Sequence, residues 1–242
     1  MVLPYTLSAQ GIPADSPQEI LKHRQEAFRL IQDLDDPCED TLWYHGRIYE
    51  FELRSQIGTP YYLNAGTLPG SITYNGKLHE DLTLSYNLVM DELILWKQGT
   101  GGKMIQLVLN KYYVENFTLK QDDNYYHFRL HSEMKPIHDQ LKDGFYEVIY
   151  DDGVRMFVRH KKELFFDATH ADSYSYRYVN QVYLILAGKI YVIHRRRDFL
   201  KAFKDYKRLL RDYMRQEKIN FKKPGTQSLF ALCVYSKSLL DQ

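Results

Sequence analysis

Residues 82–96, LTLSYNLVMDELILW, restrict the folds open to this chain more than any other stretch. Leu82, Leu84, Tyr86, Leu88 and Met90 alternate with Thr83, Ser85, Asn87 and Val89. An apolar residue at every second position is the period of a strand with one buried face. Asp91-Glu92 then breaks the phase, and the apolar set resumes at Leu93 and Leu95. A turn that reverses the chain into a partner strand explains that shift.

The middle of the chain repeats this grammar. Arg47 to Leu53 begins it, and a loop with Gly58, Pro60, Gly66, Pro69 and Gly70 follows. Gly99-Thr100-Gly101-Gly102 turns into Ile105, Leu107 and Leu109, and Asp122-Asp123-Asn124 into Tyr126, Phe128 and Leu130. Phe145 to Tyr150 runs into Asp151-Asp152-Gly153 and returns through Val154, Met156 and Val158, a strong hairpin signal. Tyr174, Tyr176 and Tyr178 alternate, and Val182 to Leu186 turns at Ala187-Gly188-Lys189 into Ile190 and Val192. Turn signals at this spacing predict eight to ten antiparallel strands. The 21 tyrosines fit that reading, because a tyrosine on a half-buried strand packs its ring and keeps its hydroxyl in water.

The two ends differ from the middle. Residues 1–11, MVLPYTLSAQG, resemble the end of a signal peptide, with Ser8 and Ala9 as the small residues before a cut. In 12–41, Ser16-Pro17-Gln18-Glu19 has the grammar of a capped helix start. Ile20, Leu21, Ala27, Phe28, Ile31 and Leu34 then form one apolar stripe, closed by Pro37. Residues 42–194 are the antiparallel region, and 195–242 return to helical spacing. There Asp198 is a plausible cap, and Phe199, Phe203, Tyr206, Leu210 and Tyr213 recur at spacings of three and four. Asn220 is a plausible stop, and a final helix begins at Thr226. The expected class is α+β: mainly antiparallel β with an N-terminal helix and a C-terminal helical segment.

Charge separates along the chain. His194 to Lys223 carries a formal +8, residues 1–193 carry −7, and the whole chain is +1. Attraction between the basic segment and the rest of the protein is the plainer consequence; binding of an external polyanion is the sharper one. The anion-binding candidates are Arg195, Arg196, Arg197, Lys201, Lys204 and Arg208. No run reaches the roughly 20 apolar residues of a membrane-spanning helix. Of the two cysteines, Cys233 in LFALCVYS reads as a small core residue; in an exported protein it could pair with Cys38.

Signatures of known chemistry are missing. KQGTGGKM lacks the first glycine of a phosphate-binding loop, having Lys97 there, and has Met104 in place of Ser or Thr. His127 and His131, with His138 nearby, share a strand face, but strand positions four apart lie about 13 Å apart, too far for one ion. There is no Gly-x-Ser-x-Gly elbow, so neither a catalytic residue nor a metal or other cofactor is expected. Tyr174, Tyr176 and Tyr178 place three rings on one strand face. They are a ligand platform for a glycan or peptide, or more plainly cross-strand packing partners.

Three segments carry a resemblance. GSITYNGKLHEDLTLSYNLVMDELIL, GFYEVIYDDGVRMFVRHKKE, and the run from VYLILAGKIYVI through RRRDFLKAFKDYKRLLRDYMRQEKINFKK are similar to an uncharacterised, usually exported β-rich family of Bacteroidota. Asn87 stands where that pattern has aspartate. The resemblance implies export and a β-rich fold, and no reaction. The expectation is a non-catalytic exported or cell-envelope protein, periplasmic in placement, with a binding or structural role and a glycan or envelope protein as partner. The alternative is a cytoplasmic nucleic-acid-binding protein using 195–223. A third, an enzyme with an unrecognised site, predicts a cleft of convergent polar groups.

Overall fold

A computed structural model describes residues 46–49, 56–99, 102–131, 141–167, 173–221 and 225–241. Twelve strands join in one sheet. They are β1 (Arg47–Ile48), β2 (Gln56–Ile57), β3 (Leu68–Tyr74), β4 (Lys77–Asn87), β5 (Glu92–Gln98) and β6 (Met104–Val108), then β7 (Val114–Gln121), β8 (Asn124–Leu130), β9 (Phe145–Asp152), β10 (Val154–Asp167), β11 (Ser173–Leu186) and β12 (Lys189–Ile193). Three helices follow: α1 (Arg196–Ala202), α2 (Lys207–Gln216) and α3 (Thr226–Leu240). The hydrogen-bonded order is β1-β6-β5-β4-β3-β7-β8-β9-β10-β11-β12, with β2 added to β11. Every pairing is antiparallel except β2 with β11.

Local chemistry sets the hairpins. Asn75-Gly76, between β3 and β4, and Ala187-Gly188, between β11 and β12, each hold two successive positive φ values, the two-residue turn that matches strand twist. Val154, Met156 and Val158 return from Asp151-Asp152-Gly153 as expected, and all three are buried.

The sheet bends round two cores. One collects Ile72, Leu84, Tyr86, Leu93, Phe117 and Phe128 from β3–β5, β7 and β8. The other lies between β9–β12 and the helices, with Met156, Leu184, Phe199, Leu210, Leu229 and Cys233. A smaller cluster of Tyr146, Phe157 and Tyr183 covers the opposite face of β9–β11. The Lys162 N–H donates to the Leu88 carbonyl, and Leu88 N–H to the Pro60 carbonyl, so the long strand β10 meets the end of β4 and the sheet curls over the first core.

Several expectations change. The strand count exceeds eight to ten; β1 falls in the expected Arg47 to Leu53 stretch, whereas β2 is two residues long, too short to show any period. Met90 does not continue the buried face of β4; it lies in the β4–β5 turn and is exposed, whereas Ser85 and Asn87 on the other face are buried. Asp198 is not the cap of α1. Arg195 holds that position, and Asp198, inside the first turn, accepts from the His194 N–H at 3.3 Å. Helix α2 ends at Gln216, not at Asn220, because Lys218 takes a left-handed φ of +51°. The expected N-terminal helix (12–41), the 1–11 segment and Cys38 lie outside the described residues. No helix among the described residues is long and apolar enough to cross a membrane.

Candidate ligand site at the junction of the two cores

Alternate residues of β10 share one face, and Val154, Met156, Val158, His160 and Lys162 are all buried along it. The stripe starts apolar against the second core and turns polar where β10 leaves it. Glu147, on β9, joins His160 there. Both are closed from water, with 1% and 5% of their surface exposed.

Glu147 takes hydrogen bonds at both oxygens. Its Oε2 lies 2.5 Å from His160 Nε2 and accepts from the Tyr62 hydroxyl at 3.3 Å. Its Oε1 accepts from Thr226 Oγ1 at 2.6 Å. A carboxylate only accepts, so His160 donates from Nε2, and in the neutral imidazole that makes Nδ1 the acceptor. The Tyr178 hydroxyl meets Nδ1 and donates to it in that tautomer. The result is a chain, Tyr178 to His160 to Glu147, that ties β11, β10 and β9 to the first turn of α3. Burial, then the charge of Glu147, pushes the Tyr178 phenol up, so it keeps its proton at neutral pH. Tyr62 is raised by the same two causes in the same order.

Lys162 is the second buried charge. Its Nζ donates to the Thr59 carbonyl at 2.6 Å, the Tyr61 carbonyl at 2.7 Å and Asn64 Oδ1 at 2.7 Å. Burial draws the ammonium down to about 8, and all three of its N–H donors are used. This bracket fixes a segment in which Leu63 and Asn64 both have positive φ.

Tyr62, Tyr178, His160, Lys162, Asn64 and Thr226 of these groups line a cavity of about 270 Å³. Tyr62, Tyr126 and Tyr178 supply aromatic wall; His160, Lys162, Asn64 and Thr226 supply polar edge. Tyr126 meets Tyr62 edge-on at 5.5 Å. Small-molecule sites have this make-up, mostly apolar with a few placed polar groups.

A separate ionic group braces the other face. Asp91 accepts from the Tyr86 hydroxyl at 2.6 Å, pairs with Lys111, and lies 3.8 Å from Arg159 Nη2. Gly144, at φ +152°, passes so close that a Cβ there would stand 2.6 Å from Arg159 Nη2 and 2.7 Å from Asp91 Oδ2.

The chain matches no protein-family model, no curated protein and no solved structure.

Of the predicted residues, only Tyr178 reaches this cavity. Tyr176 and Tyr174 continue along the same face of β11, where Tyr174 meets Phe166 edge-on at 5.7 Å as a cross-strand pair. The predicted anion face does not present six independent cations. Asp198 lies 4.0 Å from Arg195, 3.8 Å from Arg197 and 3.4 Å from Lys201. Arg196 donates to the Ile219 carbonyl at 3.2 Å, and Lys204 and Arg208 are exposed. His127 is bonded to Thr118 at 2.9 Å and His131 faces Asp143 at 3.3 Å; His138 lies outside the described residues. No group of three metal-ligating side chains occurs among the described residues. Glu147, His160 and Lys162 escape sequence reading; the alternation that runs on from Val158 through His160 to Lys162 is a signal for the last two, and none marks Glu147.

Proposed function

We propose that this protein binds a small, uncharged, hydroxyl-bearing ligand, such as one sugar unit, in the cavity between the sheet and the start of α3. One observation carries this. Three tyrosine rings line a cavity in which every N–H donor of Lys162 is already used, while Glu147 lies behind His160 and outside the lining. Lys162 thus has no spare donor for an anion, whereas ring faces and hydroxyl edges suit a sugar's C–H and O–H groups. About 270 Å³ is at the small end for ligand pockets, room for one ring rather than a chain. We also propose an exported, cell-envelope placement, supported by the resemblance of the three segments quoted above and tested by fractionation of the native protein.

Titration with neutral monosaccharides, followed by amide and tyrosine NMR shifts, tests the binding. Saturable shifts confined to residues around Tyr62, Tyr126, Tyr178 and Thr226, lost in Tyr126→Ala, are expected. Shifts absent across neutral sugars, or elicited equally by anions, would refute the reading.

A further inference from the structure

The hydrogen-bond chain at the cavity has a direction. Glu147 is held by Tyr62 and Thr226, and it fixes the Nε2–H tautomer of His160. With the imidazole neutral, His160 Nδ1 accepts from the Tyr178 hydroxyl, and Tyr178 is the one member of the chain that also reaches solvent, with 40% of its surface exposed. Hydroxyl, base and carboxylate in this sequence meet the geometric test for an activated nucleophile, in which the base touches the nucleophile and is oriented by a third group.

We propose that Tyr178, His160 and Glu147 form a base-assisted nucleophile that accepts an acyl group from a compact ester in the cavity. Tyr178 Oη attacks the ester carbonyl carbon as its proton passes to His160 Nδ1. The carbon–oxygen bond to the leaving alcohol breaks, and the alcohol takes that proton from His160. Water then attacks the acyl carbon with His160 as base; the phenol oxygen leaves and recovers a proton, giving the acid and the free protein. Tyr178 is the catalytic nucleophile, His160 the base and Glu147 a positioning residue that keeps the imidazole in its tautomer. This rests on the cavity described above but not on the identity of its bound ligand.

The test treats the native full chain with p-nitrophenyl acetate and maps acetylated peptides by mass spectrometry against time. Tyr112 and Tyr125 are internal controls, because they are more exposed, at 88% and 54%, and Tyr125 has Lys120 over its ring rather than an imidazole at its hydroxyl. Acetylation of Tyr178 at least tenfold faster than of either control supports the proposal; equal or slower acetylation overturns it. His160→Gln should erase the Tyr178 advantage and leave both controls unchanged. If that variant does not fold, the pH profile of the native protein decides. An unassisted phenol reacts through its phenolate, whose fraction climbs tenfold per pH unit near neutrality. A base-assisted Tyr178 shows a shallower slope than the controls, and a parallel slope overturns the proposal. Fast acetylation without sugar binding would remove the sugar reading and keep this one; sugar binding with unselective acetylation would do the reverse.

Discussion

Replacing Lys162 by Met keeps the aliphatic stem and removes one ammonium with three short hydrogen bonds to Thr59, Tyr61 and Asn64. A hydrogen bond to a charged group contributes roughly 1.5–3 kcal/mol. Deleting three does not cost their sum, because the variant no longer desolvates an ammonium and because the Asn64 amide can turn toward the cavity. Each buried acceptor left without its donor costs roughly 1–3 kcal/mol. The two freed carbonyls border an opening, so the lower half of that range applies to each, about 3 kcal/mol for the pair. For a chain of this size that is a fall in Tm of roughly 6–12 °C. The loss should also be local at first. The Leu88 N–H bonded to Pro60 and the Ala65 N–H bonded to Tyr62 should exchange with deuterium well before the amides of β7. Urea unfolding at neutral pH and hydrogen exchange measure both, with Lys161→Met, an exposed neighbour on the opposite face, as the control expected within about 0.5 kcal/mol. A change below 0.5 kcal/mol for Lys162→Met, with unaltered exchange at 60–65, would refute the argument that this side chain brackets the segment.

Three further outcomes follow from the packing. Gly144→Ala drives a Cβ into Arg159 and Asp91 at a positive φ, and urea unfolding should show a loss of about 2–3 kcal/mol. Cys233 is a buried free thiol whose pKa is raised by burial, so a thiol reagent should label its peptide only at the rate of global unfolding; fast native-state labelling would contradict the packing of α3 on Met156. At Asp198, burial raises the carboxyl, but the His194 N–H, Lys201 and Arg195 outweigh it and leave a lowered pKa. The unfolded chain therefore binds this proton first as pH falls. The stability Asp198 contributes is present above the ordinary carboxyl range and lost below it, and Asp198→Asn should flatten the acid limb of a stability–pH curve.

The elements that were legible in the sequence are those whose signal is local. The alternation at Leu82, Leu84 and Tyr86, the turn before Glu92, the Asp151-Asp152-Gly153 hairpin and the start of α3 at Thr226 each depend on residues within a few positions of one another. Backbone sterics and side-chain period act at that range. The errors are local as well: a left-handed Lys218 ends α2 early, and nothing in the composition of EKIN announces it.

What the sequence by itself determined is a long antiparallel sheet followed by helices, because a period of two and turn residues can be satisfied in few other ways. What only the tertiary structure decided is which polar residues lose their water. Glu147 lies 13 positions from His160 and 79 from Thr226, and Lys162 about 100 positions from the carbonyls it holds. Each would read as an ordinary solvated charge on a strand. The curl of β10 over the end of β4 and the seating of α3 bury them together, and a buried polar group must find partners wherever the fold brings them. That requirement, imposed at long range, is what made a hydrogen-bonded cavity out of residues with no motif.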